Sequence, residues 1–215
     1  MSGTAAARQI LTGLHELMAT RQSAQEKLDR TVEIVGEALD SEVCSIYLLR
    51  SGMLELSATR GLNQSAVHVT RMAVGEGLTG TLVSNRATLN LAQAKAHPDF
   101  QYRPETGEEK FSSFAGVPIV YRERAVGALN VQHVEPRRYE DVEIEALQTT
   151  AMVLSELIVN AGLIDERSAE EAAPERSGSA QLTGLTLVAG LATGEAVFHQ
   201  PRITIDKVVA EDTEF

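Results

Sequence analysis

The segment 93–112, QAKAHPDFQYRPETGEEKFS, combines charged and aromatic side chains in a way that suits a small charged compound. Acidic and basic groups side by side can pair with both ends of a zwitterion, and aromatic rings can cover it. Of the four tyrosines and five phenylalanines in the chain, four lie between Phe100 and Phe114. The candidate ligand contacts from this region are Asp99, Phe100, Tyr102, Arg103, Phe111 and the adjoining Ser113.

A plainer interpretation of the same loop stays open. A long segment without secondary structure inside a compact domain is usually either functional or disordered. Charged residues at a loop tip are commonly only solvated, and this favours the plain interpretation for Glu105, Glu108 and Glu109 around Gly107. The aromatic residues of the loop are the stronger candidates for contact with a ligand.

The stretch VGEGLTGTLVSNR, 74–86, places three glycines around the predicted start of a helix at 78–85. The first turn of a helix exposes unpaired N–H groups that can hold a carboxylate or another anion. An alternative of about equal weight is that the glycines bind nothing and only permit a tight turn packed on a sheet. The predicted contacts here are Gly77, Leu78, Thr79 and Gly80, together with Tyr47 and Asn90 from two predicted strands.

Cysteine and histidine usage argues against covalent and metal chemistry. The single cysteine, Cys44, lies in an apolar strand, where a lone cysteine is ordinarily a small core residue. The five histidines show no spacing typical of zinc sites, and His199 in FHQPR fits a solvated or structural side chain. We therefore expect no catalytic residue, no metal and no cofactor in this chain.

Charge and hydropathy limit the partners. The net charge is -11, from 30 acidic and 19 basic residues, so the field of the protein repels nucleic-acid phosphates and anionic lipid surfaces. No apolar run approaches the ~20 residues of a membrane span, and the first residues lack the pattern of a signal peptide. We expect a cytoplasmic protein that binds neither nucleic acid nor membrane.

Hydrophobic periodicity predicts an α+β fold, an antiparallel sheet with flanking helices. A helical period runs from Ala5 to about Leu39 with an interruption near Thr20, and a second long helix follows Pro136 and reaches Ile164. A turn at 122–124 joins the last two predicted strands. The predicted strands are 43–50, 53–60, 67–72, 87–92, 113–121 and 125–134.

The predicted domain extends over 1–165. Residues 166–181 are charged and alanine-rich without large apolar side chains, which predicts a linker. Residues 182–215 then resume strand-like alternation with glycines, as a truncated β-rich segment. Below ~40 residues a segment rarely sustains its own core, so we expect this part to be the beginning of a larger domain.

The order of these elements resembles a GAF domain, the small-molecule-sensing module of signalling proteins. The likeness covers about residues 10–165, and GEGLTG at 75–80, GVPI at 116–119 and GALNV at 127–131 carry it. Other chemistries of this family lack their residues here. A bilin needs a reactive cysteine, a methionine-sulfoxide reductase needs several, and the Asn-Lys-Phe signature of cyclic-nucleotide binding is absent.

The stretch GLTLVAGLATGEAV, 184–197, is similar to the start of the phosphohistidine domain of Enzyme I. A GAF domain ahead of an Enzyme I start is the arrangement of the nitrogen-related phosphotransferase Enzyme I. The resemblance implies a sensor of an amino acid or 2-oxo acid such as glutamine, which regulates autophosphorylation from phosphoenolpyruvate. It further implies Mg²⁺ for the full-length enzyme, a histidine-containing phosphocarrier as partner, and catalytic residues beyond position 215.

Two rival functions remain. A ligand-free module could dimerise the enzyme, since Leu28, Val32, Val35 and Leu39 follow the 4-3-4 spacing of parallel coiled coils. That spacing fits core packing within one subunit equally well. A transcriptional activator ranks lower, because the glycines after the linker lack the Lys-Ser or Lys-Thr of a P-loop.

Overall fold

The computed structural model describes residues 2–107 and 110–164, and the elements named here lie in those ranges. The helices are α1 (Gly3–Met18), α2 (Ala24–Ala38), α3 (Gly77–Asn85) and α4 (Asp141–Asn160). The strands are β1 (Val43–Arg50), β2 (Met53–Arg60), β3 (Arg71–Ala73), β4 (Leu89–Leu91), β5 (Ser113–Tyr121) and β6 (Arg124–His133). Short 3-10 turns lie at Gln64–Ala66 and Ala94–Ala96.

The six strands form one antiparallel sheet in the order β3-β2-β1-β6-β5-β4. Two tight hairpins, β1-β2 and β5-β6, meet where β1 pairs with β6 in the middle of the sheet. The short strands β3 and β4 form the two edges. The predicted α+β class, with an antiparallel sheet and flanking helices, is confirmed.

The predicted interruption near Thr20 separates α1 from α2. Ser23 caps α2 through a capping box: the Glu26 amide donates to the Ser23 hydroxyl, and the Ser23 amide donates to the Glu26 carboxylate at 2.7 Å. Thr20 in turn donates its hydroxyl to the Leu17 carbonyl at 2.7 Å. These local hydrogen bonds compete with helix continuation and stop the first helix at Met18.

Each face of the sheet packs against its own layer. Alternation along β1 sends Ile46 and Leu48 to the layer of α1, α2 and α4, and Tyr47 and Leu49 to the layer that contains α3. The helical layer forms a large apolar core. The second layer is smaller, and the long segment after β4 completes it.

Two predicted strands differ from the structure, and the open question about the helix face is resolved. The predicted strand 67–72 is a turn that reaches β3 only at Arg71, because His68 takes a left-handed conformation with φ of 62°. The predicted strand 87–92 is reduced to Leu89–Leu91.

The coiled-coil spacing of α2 is core packing within the subunit, since its four apolar residues are at most 1% exposed. The predicted linker 166–181 and the segment 182–215, with His199, lie outside the described residues.

Candidate functional site

A small cavity lies between the sheet and the segment 94–107, which we call the strap. The strap leaves β4, crosses α3 and returns toward β5, so it roofs the second layer of the fold. The cavity volume is about 30 Å³, which is room for about one or two water molecules. Arg103 is the single charged residue among the described residues that line it.

The structure brings most of the predicted contacts together around this cavity. They come from four parts of the chain: β1, the start of α3, the strap, and residues at or just before the beginning of β5. The predicted residues that line the cavity are Tyr47, Gly77, Leu78, Thr79, Phe100, Arg103, Phe111 and Ser113.

Four predicted contacts lie outside the lining. Gly80 donates its amide to the Glu76 carbonyl and packs against the backbone of Ala73, so it serves the turn into α3. Asn90 is bonded to the backbone of Tyr139. Asp99 accepts a hydrogen bond from the Thr81 hydroxyl at 3.2 Å. Tyr102 is 48% exposed on the outer side of the strap.

Five lining residues were not predicted, although sequence patterns could have identified some of them. They are Met72, Ala94, Gln101, Phe114 and Gln132. Asn130 and Gln132 interrupt the apolar pattern of β6 at alternate positions, so both belong to one face of the sheet. A polar pair at that spacing inside a buried strand indicates a polar floor. Phe114 belongs to the aromatic cluster already noted in the sequence.

The start of α3 is one wall of the cavity, and its amides lack a side-chain cap. The capping position is Glu76, whose carboxylate turns back to accept from the Ala73 amide at 2.8 Å instead of from the helix. Gly77, Leu78 and Thr79 therefore present the first turn of the helix to the cavity. Behind them, Asn130 donates to the Thr79 hydroxyl at 3.0 Å and is 1% exposed.

The strap is held by hydrogen bonds between its second half and elements outside it. Arg103 donates to the Glu76 carboxylate at 2.6 Å and to the Arg71 carbonyl at 3.2 Å. Farther along, the Asn63 side-chain amide donates to the Glu105 carbonyl at 3.0 Å. Inside the roof, Phe100 packs partly buried against the apolar residues of the second layer. The strap is thus an ordered cover over the cavity.

A second cluster of charges lies beside β2 and β3. Glu55 is 3% exposed and accepts from Arg50, His68 and Arg71 at 2.7 to 3.1 Å. Burial raises the pKa of this carboxyl, but hydrogen bonds from His68 and Arg71 and the charges of Arg50 and Arg71 outweigh burial and hold the pKa below 4.5. The cluster fixes the turn that precedes β3.

Cys44 and the residue types that bind metals are the groups that nucleophilic or metal chemistry would use. Cys44 is fully buried, and burial raises the pKa of its thiol far above the ordinary value. Within 2–107 and 110–164, no three His, Cys, Asp or Glu residues group closely enough to hold a metal ion. Over the same residues, no helix has both the length and the apolarity for a membrane span.

Comparison with known proteins agrees with this architecture. The phosphoenolpyruvate-dependent phosphotransferase system protein of Escherichia coli (strain K12) is 36% identical over 154 residues, which are 69% of this chain and 21% of that protein. The chain thus spans about a fifth of the length of this curated relative.

Two solved GAF domains from phosphoenolpyruvate-protein phosphotransferases are also similar. That of Coxiella burnetii is 30% identical with a TM-score of 0.71, over 76% of this chain and 98% of that one. That of Acinetobacter is 30% identical with a TM-score of 0.65, over the same shares of the two chains. The family model described as GAF domain matches residues 23–158. This chain belongs to the GAF domain family.

Proposed function

We propose that this chain is the regulatory, small-metabolite-sensing domain of a cytoplasmic phosphoenolpyruvate-protein phosphotransferase. In this proposal, the ligand reports nitrogen status and controls autophosphorylation of the enzyme. The similarity to phosphotransferase GAF domains supports the choice of parent enzyme. The observation that carries the sensing role is the cavity roofed by the strap, with Arg103 as its one charged lining residue among those described.

The lining favours a compact polar compound with a carboxylate, such as glutamine, another amino acid or a 2-oxo acid. Arg103 and the first amides of α3 suit an anionic group. Thr79, Ser113 and Gln132 supply hydroxyl and amide groups elsewhere in the lining, and Phe100 and Phe111 supply aromatic cover. An uncharged apolar ligand would gain nothing from the guanidinium of Arg103, which would stay paired with Glu76.

Binding requires the strap to move. Sites for small molecules commonly enclose ~300–1,000 Å³, whereas the cavity under the strap has about 30 Å³. A loop cover that opens for a ligand and closes over it is a common arrangement in such sites. In this proposal the described arrangement is the closed strap, and a bound ligand replaces contacts of the strap with its own.

The path to the rest of the enzyme runs through β5. Ser113, the first residue of β5, lines the cavity, and α4 packs against the same strand on its way toward the predicted linker. A ligand that binds one arrangement of these elements more tightly shifts their equilibrium, typically by ~1–3 kcal/mol of coupling. We further propose that the enzyme works as a homodimer, with Mg²⁺ bound outside the described residues and a histidine-containing phosphocarrier as acceptor.

Calorimetry of the full chain against the amino acids and their 2-oxo acids tests this function. We expect heat of binding and a rise in Tm for L-glutamine or a close analogue, because a ligand that binds only the folded state stabilises it. The Arg103→Gln variant should lose this binding while retaining its fold. Absence of heat and of a Tm shift for every compound would contradict the sensing role.

A ligand-free dimerisation module is the second candidate. The small volume of the cavity favours it, as do two apolar side chains exposed on the helical layer. Leu11 on α1 is 43% exposed and Met152 on α4 is 63% exposed. A dimer in light scattering that Leu11→Ser or Met152→Ser dissociates, combined with no response to any metabolite, would select this candidate over the sensor.

A further inference from the structure

The contact between Arg103 and Glu76 spans the boundary between the strap and α3. Arg103 lines the cavity and is 18% exposed in its side chain, whereas Glu76 lies outside the lining and is 36% exposed. Their atoms Nη2 and Oε1 are 2.6 Å apart, which is a short charge-assisted hydrogen bond. The ion pair thus holds the strap against the carboxylate of Glu76, a residue of the protein itself.

Glu76 is poised to give up this partner. Its second oxygen, Oε2, accepts a hydrogen bond from the Ala73 amide at 2.8 Å. The Glu76 carboxylate therefore keeps one hydrogen bond when Arg103 leaves. More than a third of its side chain is exposed, so water can replace the guanidinium at small cost. The other nearby carboxylate, Glu105, is 3.8 Å from Arg103 and 44% exposed, which makes it a weaker competitor.

We propose that Glu76 stands in for a ligand carboxylate, which replaces it on Arg103 as the strap opens. This inference rests on the proposed sensing function and names both the class of ligand and the regulation of its site. The ligand must carry a carboxylate, because only an anion compensates Arg103 for the loss of Glu76. The ion pair thereby makes the closed strap the resting state. It also sets the ligand concentration that is needed to open the strap.

According to this proposal, removing the charge of Glu76 raises the affinity for the ligand. Removing a residue of the site normally weakens binding, but removing a competitor strengthens it, since the ligand no longer displaces anything. Glu76→Gln preserves the shape of the side chain and an oxygen for the Ala73 amide, and it deletes only the charge. We expect binding of L-glutamine to become about fivefold tighter, the size that a partly exposed ion pair can supply.

The experiment compares the full chain with Glu76→Gln, Arg103→Gln and the matched control Glu105→Gln. Hydrogen exchange without added compound reports strap opening, and Glu76→Gln should speed exchange of amides in 97–107 while Glu105→Gln should not. Calorimetry uses L-glutamine and L-glutaminamide, in which the carboxylate is an amide. Arg103→Gln should abolish the preference for L-glutamine over L-glutaminamide, and thermal unfolding verifies that each variant is folded.

The outcomes separate this inference from the sensing function. If the unmodified chain binds L-glutamine and Glu76→Gln binds it equally or more weakly, the exchange of carboxylates is wrong and the sensor stands. Unchanged strap exchange in Glu76→Gln would likewise overturn it. If neither form binds any carboxylate of the amino-acid and 2-oxo-acid panel, both this inference and the proposed function fail.

Discussion

Asn90 holds the backbone of Tyr139 from two sides. Its Nδ2 donates to the Tyr139 carbonyl at 2.9 Å, and its Oδ1 accepts from the Tyr139 amide at 3.1 Å. Tyr139 is 2% exposed, and its hydroxyl lies 3.0 Å from that of Ser41. Burial raises the pKa of the Tyr139 phenol, so this hydroxyl stays protonated at neutral pH. The edge strand that leads into the strap is thereby tied to the residue just before the N-cap of α4.

Replacing Asn90 tests this tie. Asn90→Ala removes both hydrogen bonds and leaves backbone groups of a buried residue unpaired, so we expect a loss of about 2 kcal/mol in the free energy of unfolding. Urea denaturation at pH 7 measures it. Asn90→Asp keeps the acceptor for the Tyr139 amide but sets a carboxylate oxygen against the Tyr139 carbonyl, so it should not restore the full stability. A change in Asn90→Ala within the error of the method would show that the two bonds contribute nothing.

Glu55 should make stability depend on pH. Its folded-state pKa lies below the ordinary 4.5, so its contribution is complete above 4.5 and is lost as pH falls through the lower folded value. We expect Glu55→Gln to cost about 2 kcal/mol at pH 7 because Arg50 and Arg71 lose their buried counter-charge. The gap to the unmodified chain should narrow below pH 4.5 in denaturation series. The exposed Glu135→Gln serves as control, and a gap independent of pH would contradict the assignment.

The thiol of Cys44 should be inert in the folded chain. Complete burial both raises its pKa and blocks access, so neither the thiolate nor a path for reagent exists. Reaction with Ellman's reagent at pH 8 should be negligible until denaturant unfolds the protein, when one thiol per chain should react. Rapid reaction without denaturant would show that the strand β1 is accessible.

Gly80 should be intolerant of a methyl group. A Cβ at this position would lie 2.6 Å from the Ala73 carbonyl oxygen and 3.0 Å from the Gly75 nitrogen, both backbone atoms that cannot turn aside. We expect Gly80→Ala to lose about 1–3 kcal/mol of stability, as overpacked sites do. Thermal unfolding measures the loss, and Ser84→Ala on the exposed face of the same helix is the control. Equal stability of the two variants would contradict the close packing of this turn.

The sequence predicted local elements well because local patterns determine them. The first hairpin follows from period-two alternation around Ser51-Gly52, and both strands have the predicted bounds. The second hairpin differs only in that β6, Arg124–His133, begins and ends one residue earlier than predicted. The segment VHVTRM alternates as a strand would, but His68 interrupts it with a left-handed backbone conformation. The residue type of His68 does not predict that conformation. The spacing of Leu28, Val32, Val35 and Leu39 fits both a dimer and a core, and only tertiary packing distinguishes them.

The cavity was harder to predict than the elements around it. Residue type identified the aromatic and charged parts of the strap, but not which of them turn inward. Arg103 and Phe100 face the cavity, whereas Tyr102 between them faces solvent. The tie between Asn90 and Tyr139 joins positions 49 residues apart, which no local pattern reveals. The polar floor at Asn130 and Gln132 was visible as an alternation inside an apolar strand and was missed.

The most direct test of the central claim is an amide NMR titration of the ¹⁵N-labelled chain with L-glutamine, because it reports both binding and its location. We predict saturable shifts that concentrate on Gly77–Thr79, the strap and Ser113, with weaker shifts along α4. Arg103→Gln should remove these shifts. Absence of shifts at saturating concentration, or shifts confined to the outer faces of α1 and α2, would contradict a ligand site beneath the strap.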